Sequence, residues 1–294
     1  MSTFSLPKWI KPHLFLNKRF IDLTEAEIDT LKERLGALRN DNPEVTVAIP
    51  AWNEENNIYR TLSSLADSKT KYKVELIVIN NNSSDATQQV LDKLGVRSYF
   101  QQIQGTPYAR QMGLDKAMGK FYLCADADTF YPPQWIDLMV DPMTKTAEVT
   151  GVYGRYSFLP PRGEGRLGLW FYELLTGIII RVRQNRREHL NVYGFNMGFV
   201  TEIGLSTGGF NVSSSRVYAG VIGNDTTNDA EDGRMARNLK TKGRLHLVTD
   251  PGARVFTSPR RLLDDGSIWN AFLKRTKRQL MILPEYLMGK KVVH

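Results

Sequence analysis

Apolar residues in the first half of the chain fall into short unbroken runs and into segments with helical spacing. The unbroken runs are rich in β-branched residues, which is typical of strands buried on both faces. They predict strands at residues 45–49, 74–79 and 121–125, and the more polar segment 97–101 is predicted as a weaker strand. The other segments carry apolar residues three or four positions apart and predict helices at 24–38, 54–66, 85–95 and 107–118. Strands that alternate with helices on short connections predict an α/β fold with a doubly wound, mainly parallel sheet.

Polar clusters follow three of the predicted strands. These clusters are Asn53-Glu54-Glu55, Asn80-Asn81-Asn82 and Asp126-Ala127-Asp128. The carboxyl ends of parallel strands lie at one edge of a sheet, and α/β sheets bind their ligands there. We therefore expect the three clusters to meet at one edge and to form a ligand site.

Asp126 and Asp128 stand one residue apart at the end of an apolar strand. Two carboxylates in that position can bind a hard divalent cation, and Mg²⁺ or Mn²⁺ would in turn bind a diphosphate. The alternative is an acidic loop with solvated charges. A haloacid-dehalogenase-type phosphatase is disfavoured, because its pattern needs Thr or Val where this chain has Phe130.

The charge and the cysteine content indicate the chemical class of the partner and the cellular compartment. The 294 residues carry a net charge of +8, which suggests an anionic partner such as a nucleotide, a membrane surface or a nucleic acid. The single cysteine, Cys124, excludes an internal disulfide and fits a reducing cytosol. No apolar run reaches the roughly 18 residues that span a bilayer, and the N-terminus lacks the features of a signal peptide. We expect a cytoplasmic protein, with peripheral contact with the inner face of the membrane left open.

Three segments resemble family 2 glycosyltransferases of the GT-A fold. They are VTVAIPAWNEENNIYRTLSSL, VELIVINNNSSDAT and YARQMGLDKAMGKFYLCADADTFYPPQWI, and their order and spacing agree with the family over residues 44–140. Weaker agreement continues through GFNMGFVTEIGLSTGGF, AEDGRMARNLKTKGRL and VFTSPRRL to residue 263. The resemblance implies a GT-A-like α/β fold, Mn²⁺ or Mg²⁺ as cofactor, and inverting transfer of a sugar from a nucleotide-diphosphate sugar.

The resemblance also implies a division of the chain. Residues 44–263 would form the glycosyltransferase domain, with a nucleotide-sugar half at 44–142 and an α/β acceptor-side half at 143–263. Residues 1–43 would be an N-terminal extension with one helix, and residues 264–294 a basic helical tail.

The resemblance assigns one set of residues to the donor. In relatives, the loop after the first strand cradles the nucleoside, and an Asp at the position of Asn80 usually accepts a hydrogen bond from the base. An amide both accepts and donates, so the identity of the base is left open. The alternative for Asn53 is a helix cap, and the alternative for Arg110 is a surface charge. The predicted donor-binding set is Pro50, Ala51, Asn53, Glu54, Asn80, Arg110, Asp126, Arg260 and Arg261.

Glu231-Asp232 matches the acidic pair that supplies the catalytic base in inverting relatives. Inversion needs a carboxylate that takes the proton of the acceptor hydroxyl as its oxygen attacks the anomeric carbon. We assign that role to Asp232 and place Glu231 beside it on the acceptor side. Asp225 and Asp229 are rival bases, and the alternative for the whole cluster is a set of acids at a helix N-terminus.

Two further pairs have both a functional and a plain interpretation. Gly208 and Gly209 resemble a turn that frames the acceptor, and an ordinary turn is the alternative. Arg260 and Arg261 could neutralise the leaving diphosphate, and a basic surface turn is the alternative.

The acceptor is expected to be a glycan or a lipid-linked compound, in the synthesis of cell-envelope or other glycoconjugates. Residues 167–180 are apolar and precede several arginines, which predicts either a core helix or an interfacial helix beside a lipid-linked acceptor. The chain lacks the Gln-x-x-Arg-Trp signature of processive synthases, so we expect single transfers. The alternatives are a metal-dependent nucleotidyl or phosphoryl transferase and a basic nucleic-acid-binding module. The acidic strand ends disfavour nucleic acid as a partner.

Overall fold

The computed structural model describes residues 5–160, 165–184, 187–210 and 231–260, together with Lys277. Within these residues the chain forms ten strands and eight α-helices. The strands are β1 (Val45–Ala51), β2 (Val74–Asn80), β3 (Arg97–Phe100), β4 (Phe121–Cys124), β5 (Thr129–Phe130), β6 (Val149–Gly154), β7 (Tyr156–Phe158), β8 (Met197–Val200), β9 (Arg244–Val248) and β10 (Val255–Thr257). The helices are α1 (Glu25–Gly36), α2 (Ile58–Ala66), α3 (Thr87–Lys93), α4 (Thr106–Lys116), α5 (Trp135–Lys145), α6 (Leu167–Gln184), α7 (Thr201–Ser206) and α8 (Glu231–Lys240). Short 3-10 helices lie at Lys8–Asn17, Phe20–Asp22, Glu188–Asn191 and Pro251–Ala253.

The four predicted strands are β1 to β4, and each begins at the predicted residue. The helix predicted from residue 54 begins only at Ile58. The N–H groups of Glu54 and Glu55 are held by the next loop, because they donate to Thr87 Oγ1 at 2.8 Å and to Asp85 Oδ2 at 3.1 Å. These hydrogen bonds keep the first polar cluster outside the helix.

The central sheet has seven strands in the order β3-β2-β1-β4-β8-β6-β9. Strands β3, β2, β1 and β4 are parallel to one another, and β6 is parallel to β9. Strand β8 is antiparallel to both of its neighbours. The predicted mainly parallel α/β sheet is therefore confirmed.

Each face of the central sheet has its own apolar core, because alternate side chains of a strand point to opposite faces. One core combines β-strand and helix residues such as Val47, Leu31 and Leu62. The other core does the same on the opposite face with Ala48, Leu114 and Leu239. Because both faces of the sheet are covered by other elements, nearly every side chain of β1 and β2 is buried. This explains why these two strands are continuous apolar runs in the sequence.

The carboxyl ends of β1, β2 and β4 lie at one edge of the sheet. Ala51 at the end of β1 is opposite Asn80 at the end of β2. Strand β4 is parallel to β1 and ends at Cys124, just before Asp126. The sequence prediction that the polar clusters follow neighbouring strand ends is confirmed.

A second, three-stranded sheet in the order β5-β10-β7 lies beside this edge. Thr257 of β10 pairs with Thr129 of β5, which directly follows Asp128. The N–H of Ser258 then donates to the carbonyl oxygen of Asp128 at 3.2 Å. The small sheet thus positions the segment after β10 next to the aspartate pair.

Helix α6 contains the apolar segment at 167–180 but leaves much of it exposed. Its large apolar side chains with exposed fractions from 44% to 56% are Leu167, Phe171, Leu174 and Ile178. The core-helix interpretation is therefore wrong for this face, although Leu169 on the other side is fully buried. None of the helices in the described ranges is long and apolar enough to cross a bilayer.

Candidate active site

Asn53 binds the loop after β1 to the loop after β2. It has a positive φ of 54°, a conformation that Asn tolerates better than most residues. Its Oδ1 accepts from the N–H of Ser84 at 2.8 Å, and its own N–H donates to Ser83 Oγ at 3.0 Å. The helix-cap alternative for Asn53 is wrong, because Asn57 occupies the position before α2.

Glu54 lies between the first loop and the segment after β10. Its Oε1 accepts from Arg260 Nη2 at 2.5 Å, and its Oε2 accepts from Asn57 Nδ2 at 2.7 Å. Burial raises the pKa of Glu54, and the Arg260 guanidinium opposes that rise. Pro50 is half-buried and Ala51 is buried, so these two residues offer a nucleoside little side-chain surface. Their donor-binding role stays a prediction.

Asn80 is buried, and its amide is bonded within the protein. Its Oδ1 accepts from the N–H of Ser83 at 3.0 Å, and its Nδ2 donates to Gln88 Oε1 at 2.8 Å. The side chain therefore shapes the second loop. Contact between Asn80 and a base stays a prediction.

Arg110 of α4 joins the aspartate pair to two segments that come later in the chain. Its Nη2 donates to Asp126 Oδ1 at 2.7 Å, and its Nη1 donates to the carbonyl oxygen of Gly194 at 2.8 Å. Its Nε lies 3.9 Å from Glu231 Oε1. One guanidinium thus contacts the end of β4, the segment before β8 and the start of α8.

Arg110 is only 4% exposed, so the surface-charge alternative is wrong. Burial by itself would lower the pKa of Arg110, but Asp126 and the other acidic groups, including Glu231 and Asp232, raise it above its usual value. The guanidinium therefore stays charged. A buried charge is stable only when it is paired with an opposite charge. Arg110 and the acidic residues around it therefore stabilise one another in the folded protein.

We expect Arg110→Met to lower the free energy of unfolding by about 3–5 kcal/mol, because buried carboxylates would lose their partner. Methionine keeps an unbranched side chain and removes only the charged group. Urea unfolding at neutral pH measures the change. Arg244→Met is the matched control, since Arg244 pairs with Glu148 on the exposed surface at 3.9 Å and such pairs contribute about 0–1 kcal/mol. Equal losses in the two variants would show that the Arg110 network does not stabilise the fold.

Asp128 lies beside β10 and forms an ion pair with Arg260. Arg260 Nη2 donates to Asp128 Oδ2 at 2.7 Å, and the arginine side chain is 51% exposed. A metal ion at Asp128 would share this carboxylate with Arg260 or replace the contact. The second predicted arginine, Arg261, lies outside the described residues.

The aspartate pair fits the hard divalent cation predicted from the sequence. The side chains of Asp126 and Asp128 are 23% and 20% exposed, so carboxylate oxygens reach the edge of the sheet. The described part of the chain holds no group of three or more His, Cys, Asp or Glu residues suited to a metal. Within these residues, Asp126 and Asp128 are the carboxylates that would hold the ion, and a diphosphate and water would supply further ligands, which is usual for Mg²⁺.

Asp232 lies in the first turn of α8, and both carboxylate oxygens are oriented by backbone N–H groups. Gly194 donates to its Oδ2 and Gly233 to its Oδ1, each at 2.9 Å. Burial raises the pKa of Asp232, and the charge of Glu231 raises it further while Arg110 opposes the rise. A raised pKa makes the carboxylate a stronger base. Glu231 is buried and Asp232 is partly exposed, which favours Asp232 as the residue that meets an acceptor.

Gly208 and Gly209 end α7 with φ values of 95° and 62°. A Cβ at Gly209 would lie 2.2 Å from Gln111 Oε1, so the glutamine side chain would have to move, and the positive φ itself favours glycine there. The plain-turn alternative accounts for these facts, and the acceptor-side role stays a prediction. The chain that follows, including the rival bases Asp225 and Asp229, lies outside the described residues.

Two residues of the site were not predicted from the sequence. Gly194 contacts both Arg110 and Asp232, and a Cβ there would lie 2.3 Å from Arg110 Nη2. Tyr131 accepts from the N–H of Asp126 at 2.8 Å and donates to the carbonyl oxygen of Phe195 at 3.0 Å. The only sequence signal was a glycine-containing turn at Gly194, which does not reveal such partners.

The sequence matches Glycosyl transferase family 2 over residues 46–203, more than half of the chain. It is 30% identical to glycosyltransferase AglE of Haloferax volcanii over 129 residues, which are 41% of this chain and 42% of that protein. It is 28% identical to dolichol-phosphate mannosyltransferase of Saccharomyces cerevisiae over 118 residues, 37% of this chain and 44% of that protein. The matched region therefore spans less than half the length of either relative.

A solved structure shares the fold. Glucosyl-3-phosphoglycerate synthase from Mycobacterium tuberculosis, in complex with Mn²⁺ and UDP-glucose, aligns with a TM-score of 0.51 at 17% identity, over 92% of this chain and 85% of that one. The family match sets aside the nucleotidyl transferase and nucleic-acid-binding alternatives. The chain belongs to glycosyltransferase family 2 and has a GT-A-like α/β fold.

Proposed function

We propose that the chain transfers a sugar from a nucleotide-diphosphate sugar to an acceptor hydroxyl, with inversion and in single, non-processive steps. The observation that supports this most directly is the network in which Arg110 and Gly194 join Asp126 to Asp232. This network combines a carboxylate suited to a metal–diphosphate group with a carboxylate of raised pKa. Metal-dependent inverting transfer uses both kinds of group in one site.

In the proposed reaction, the acceptor oxygen attacks the anomeric carbon on the face opposite the diphosphate. The bond between that carbon and the diphosphate oxygen breaks, and the nucleoside diphosphate leaves with the electron pair. The acceptor proton moves to Asp232, whose carboxylate is oriented by the N–H groups of Gly194 and Gly233. A bound Mn²⁺ or Mg²⁺ would neutralise charge on the diphosphate from its position at Asp126 and Asp128.

The donor site is proposed to lie where the polar clusters meet. Mn²⁺ and UDP-glucose in the Mycobacterium tuberculosis structure support a metal-bound nucleotide sugar as donor. Arg260 supports the same assignment, because a half-exposed guanidinium beside Asp128 is placed to bind the leaving diphosphate. The two loops joined by Asn53 would hold the nucleoside.

The acceptor is proposed to be a glycan or a lipid-linked compound, in the synthesis of cell-envelope or other glycoconjugates. The similarity to dolichol-phosphate mannosyltransferase, whose name includes a lipid phosphate, supports the lipid-linked alternative. A lipid-linked acceptor is anchored in a membrane, so the protein would bind it at the membrane surface. Peripheral contact with a membrane is therefore part of the proposal.

A screen of nucleoside diphosphates by thermal unfolding tests the donor assignment. We expect one or a few of them to raise the Tm with Mn²⁺ and to have little effect with a chelator. A ligand at a hundred times its Kd adds about 2.7 kcal/mol to the free energy of unfolding, which is readily detected. If no nucleotide gives a metal-dependent shift, the proposed donor class is wrong.

A further inference from the structure

One face of helix α6 is apolar and points away from the other described residues. Its exposed positions follow a helical spacing, and the first four are Leu167, Phe171, Leu174 and Ile178. The next exposed position in this pattern is Arg181. These five residues are called the outer face of α6. A contiguous set of large exposed apolar side chains on one helix marks an interaction surface.

The inner side of α6 combines the buried apolar residues Leu169 and Ile180 with a largely buried ion pair. Arg166, just before the helix, is 7% exposed, and its Nη2 donates to Glu173 Oε1 at 2.8 Å. The same carboxylate oxygen accepts from the N–H of Phe158 at 3.0 Å. Rotation of the helix to bury its apolar face would separate this ion pair from its partners. The ion pair therefore holds the apolar residues outward.

The positive charge at the end of the outer face indicates which kind of partner would bind there. Arg181 in the last turn is exposed, and the first turn holds no acidic residue. Glu173, the one acid of the helix, is 11% exposed and paired inward. An apolar stripe that ends in arginine is complementary to a bilayer interface with anionic headgroups.

We propose that the outer face of α6 docks on the surface of an anionic lipid membrane. The apolar side chains enter the boundary between headgroups and acyl chains, and Arg181 contacts lipid phosphate. The full chain carries a net charge of +8, so an anionic surface attracts it while a second copy of the chain repels it. This balance favours a membrane over a dimer as the occupant of the face.

The path of the chain connects this face with the active site. Helix α6 ends at Gln184, the 3-10 helix Glu188–Asn191 packs against both α6 and α8, and Gly194 follows with its N–H bonded to Asp232. A membrane bound at α6 would therefore act on a helix that packs against the segment leading to the proposed base. In this respect the inference rests on the proposed lipid-linked acceptor, although the docking itself can be measured without catalysis.

Flotation of the full chain with vesicles tests the inference. The vesicles are phosphatidylcholine alone and phosphatidylcholine mixed with phosphatidylglycerol, each at low and high salt. We expect the wild-type chain to float with the anionic vesicles at low salt. The double substitution Leu174→Gln/Ile178→Gln should lower the partition coefficient by about tenfold or more, because it removes apolar surface. Arg181→Gln should lower it about fivefold, and only on the anionic vesicles.

The matched control is Leu16→Gln/Ile21→Gln, since these two residues are 89% and 81% exposed on other elements. The control should float like the wild type, and so should the Asp232→Asn variant, which separates docking from catalysis. An unchanged Tm would show that the variants are folded. The inference is overturned if the wild type stays at the bottom of the gradient or if the control loses as much binding as the α6 variant. It is also overturned if sedimentation velocity shows that the α6 substitutions split a dimer without changing flotation.

Discussion

Asp232→Asn should lower kcat by about 10²–10⁴-fold while the donor binds nearly as tightly as to the wild type. This loss corresponds to roughly 3–5 kcal/mol of barrier. Asparagine keeps the size of the side chain and an oxygen that accepts from the N–H groups of Gly194 or Gly233, but it does not take a proton. Steady-state kinetics give kcat, and calorimetric titration gives the Kd of the donor.

The pH dependence of the wild type provides a second measurement of the same role. A general base must be deprotonated, so kcat/KM should rise with pH through the pKa of Asp232. Burial and Glu231 raise that pKa, so the acidic limb should lie above the ordinary aspartate value of about 3.9. Glu231→Gln is the control and should be milder. If Asp232→Asn keeps more than about a tenth of wild-type kcat, the loss is smaller than removal of a general base should cause. Asp229 or Asp225 would then be the better candidate.

Asp128→Ala should abolish turnover and weaken nucleotide binding only when a divalent metal is present. The physical reason is that one carboxylate of the pair assigned to the metal is removed. Calorimetric titration of the nucleotide selected by the ligand screen, with Mn²⁺ and then with a chelator, measures the difference. In the chelator, the variant and the wild type should have similar affinities.

Arg260→Gln separates the metal from the ion pair in that experiment. Asp128→Ala also removes an acceptor of Arg260, which is bonded to both Asp128 and Glu54. If Arg260 binds the diphosphate directly, Arg260→Gln should weaken nucleotide binding both with and without metal. A wild-type chain that binds the nucleotide equally well in Mn²⁺ and in chelator would contradict the metal role of Asp128.

Burial determined which parts of the fold were predictable from the sequence. Strands β1 and β2 are buried along nearly their whole length, so they stand out as unbroken apolar runs. Strands β5, β7 and β10 have only two or three residues, too few to show a periodic pattern. Strands β6 and β8 contain Gly151 and Gly198, and glycine weakens the sequence signal of a strand.

Distance along the chain limited what could be predicted of the site. Asp126 and Asp128 were recognisable because their position after a strand is a local property. The contacts of Arg110 inside the protein were not recognisable. Its partners Asp126, Gly194 and Glu231 come from three separate segments that only the folded sheet brings together. The orientation of α6 was equally hidden, because an apolar segment does not state which side faces the protein.

During synthesis on the ribosome, the central sheet can form only in two stages. Strands β1 to β4 emerge first and can pair with one another, but the second edge of β4 has no partner until β8 emerges. Strand β4 ends at Cys124 and β8 begins at Met197, so a long stretch of chain must be made in between. An open apolar strand edge pairs readily with other chains, and pairing between distant segments is slow. A fragment truncated between these strands would therefore tend to aggregate and would not serve as an isolated nucleotide-binding unit.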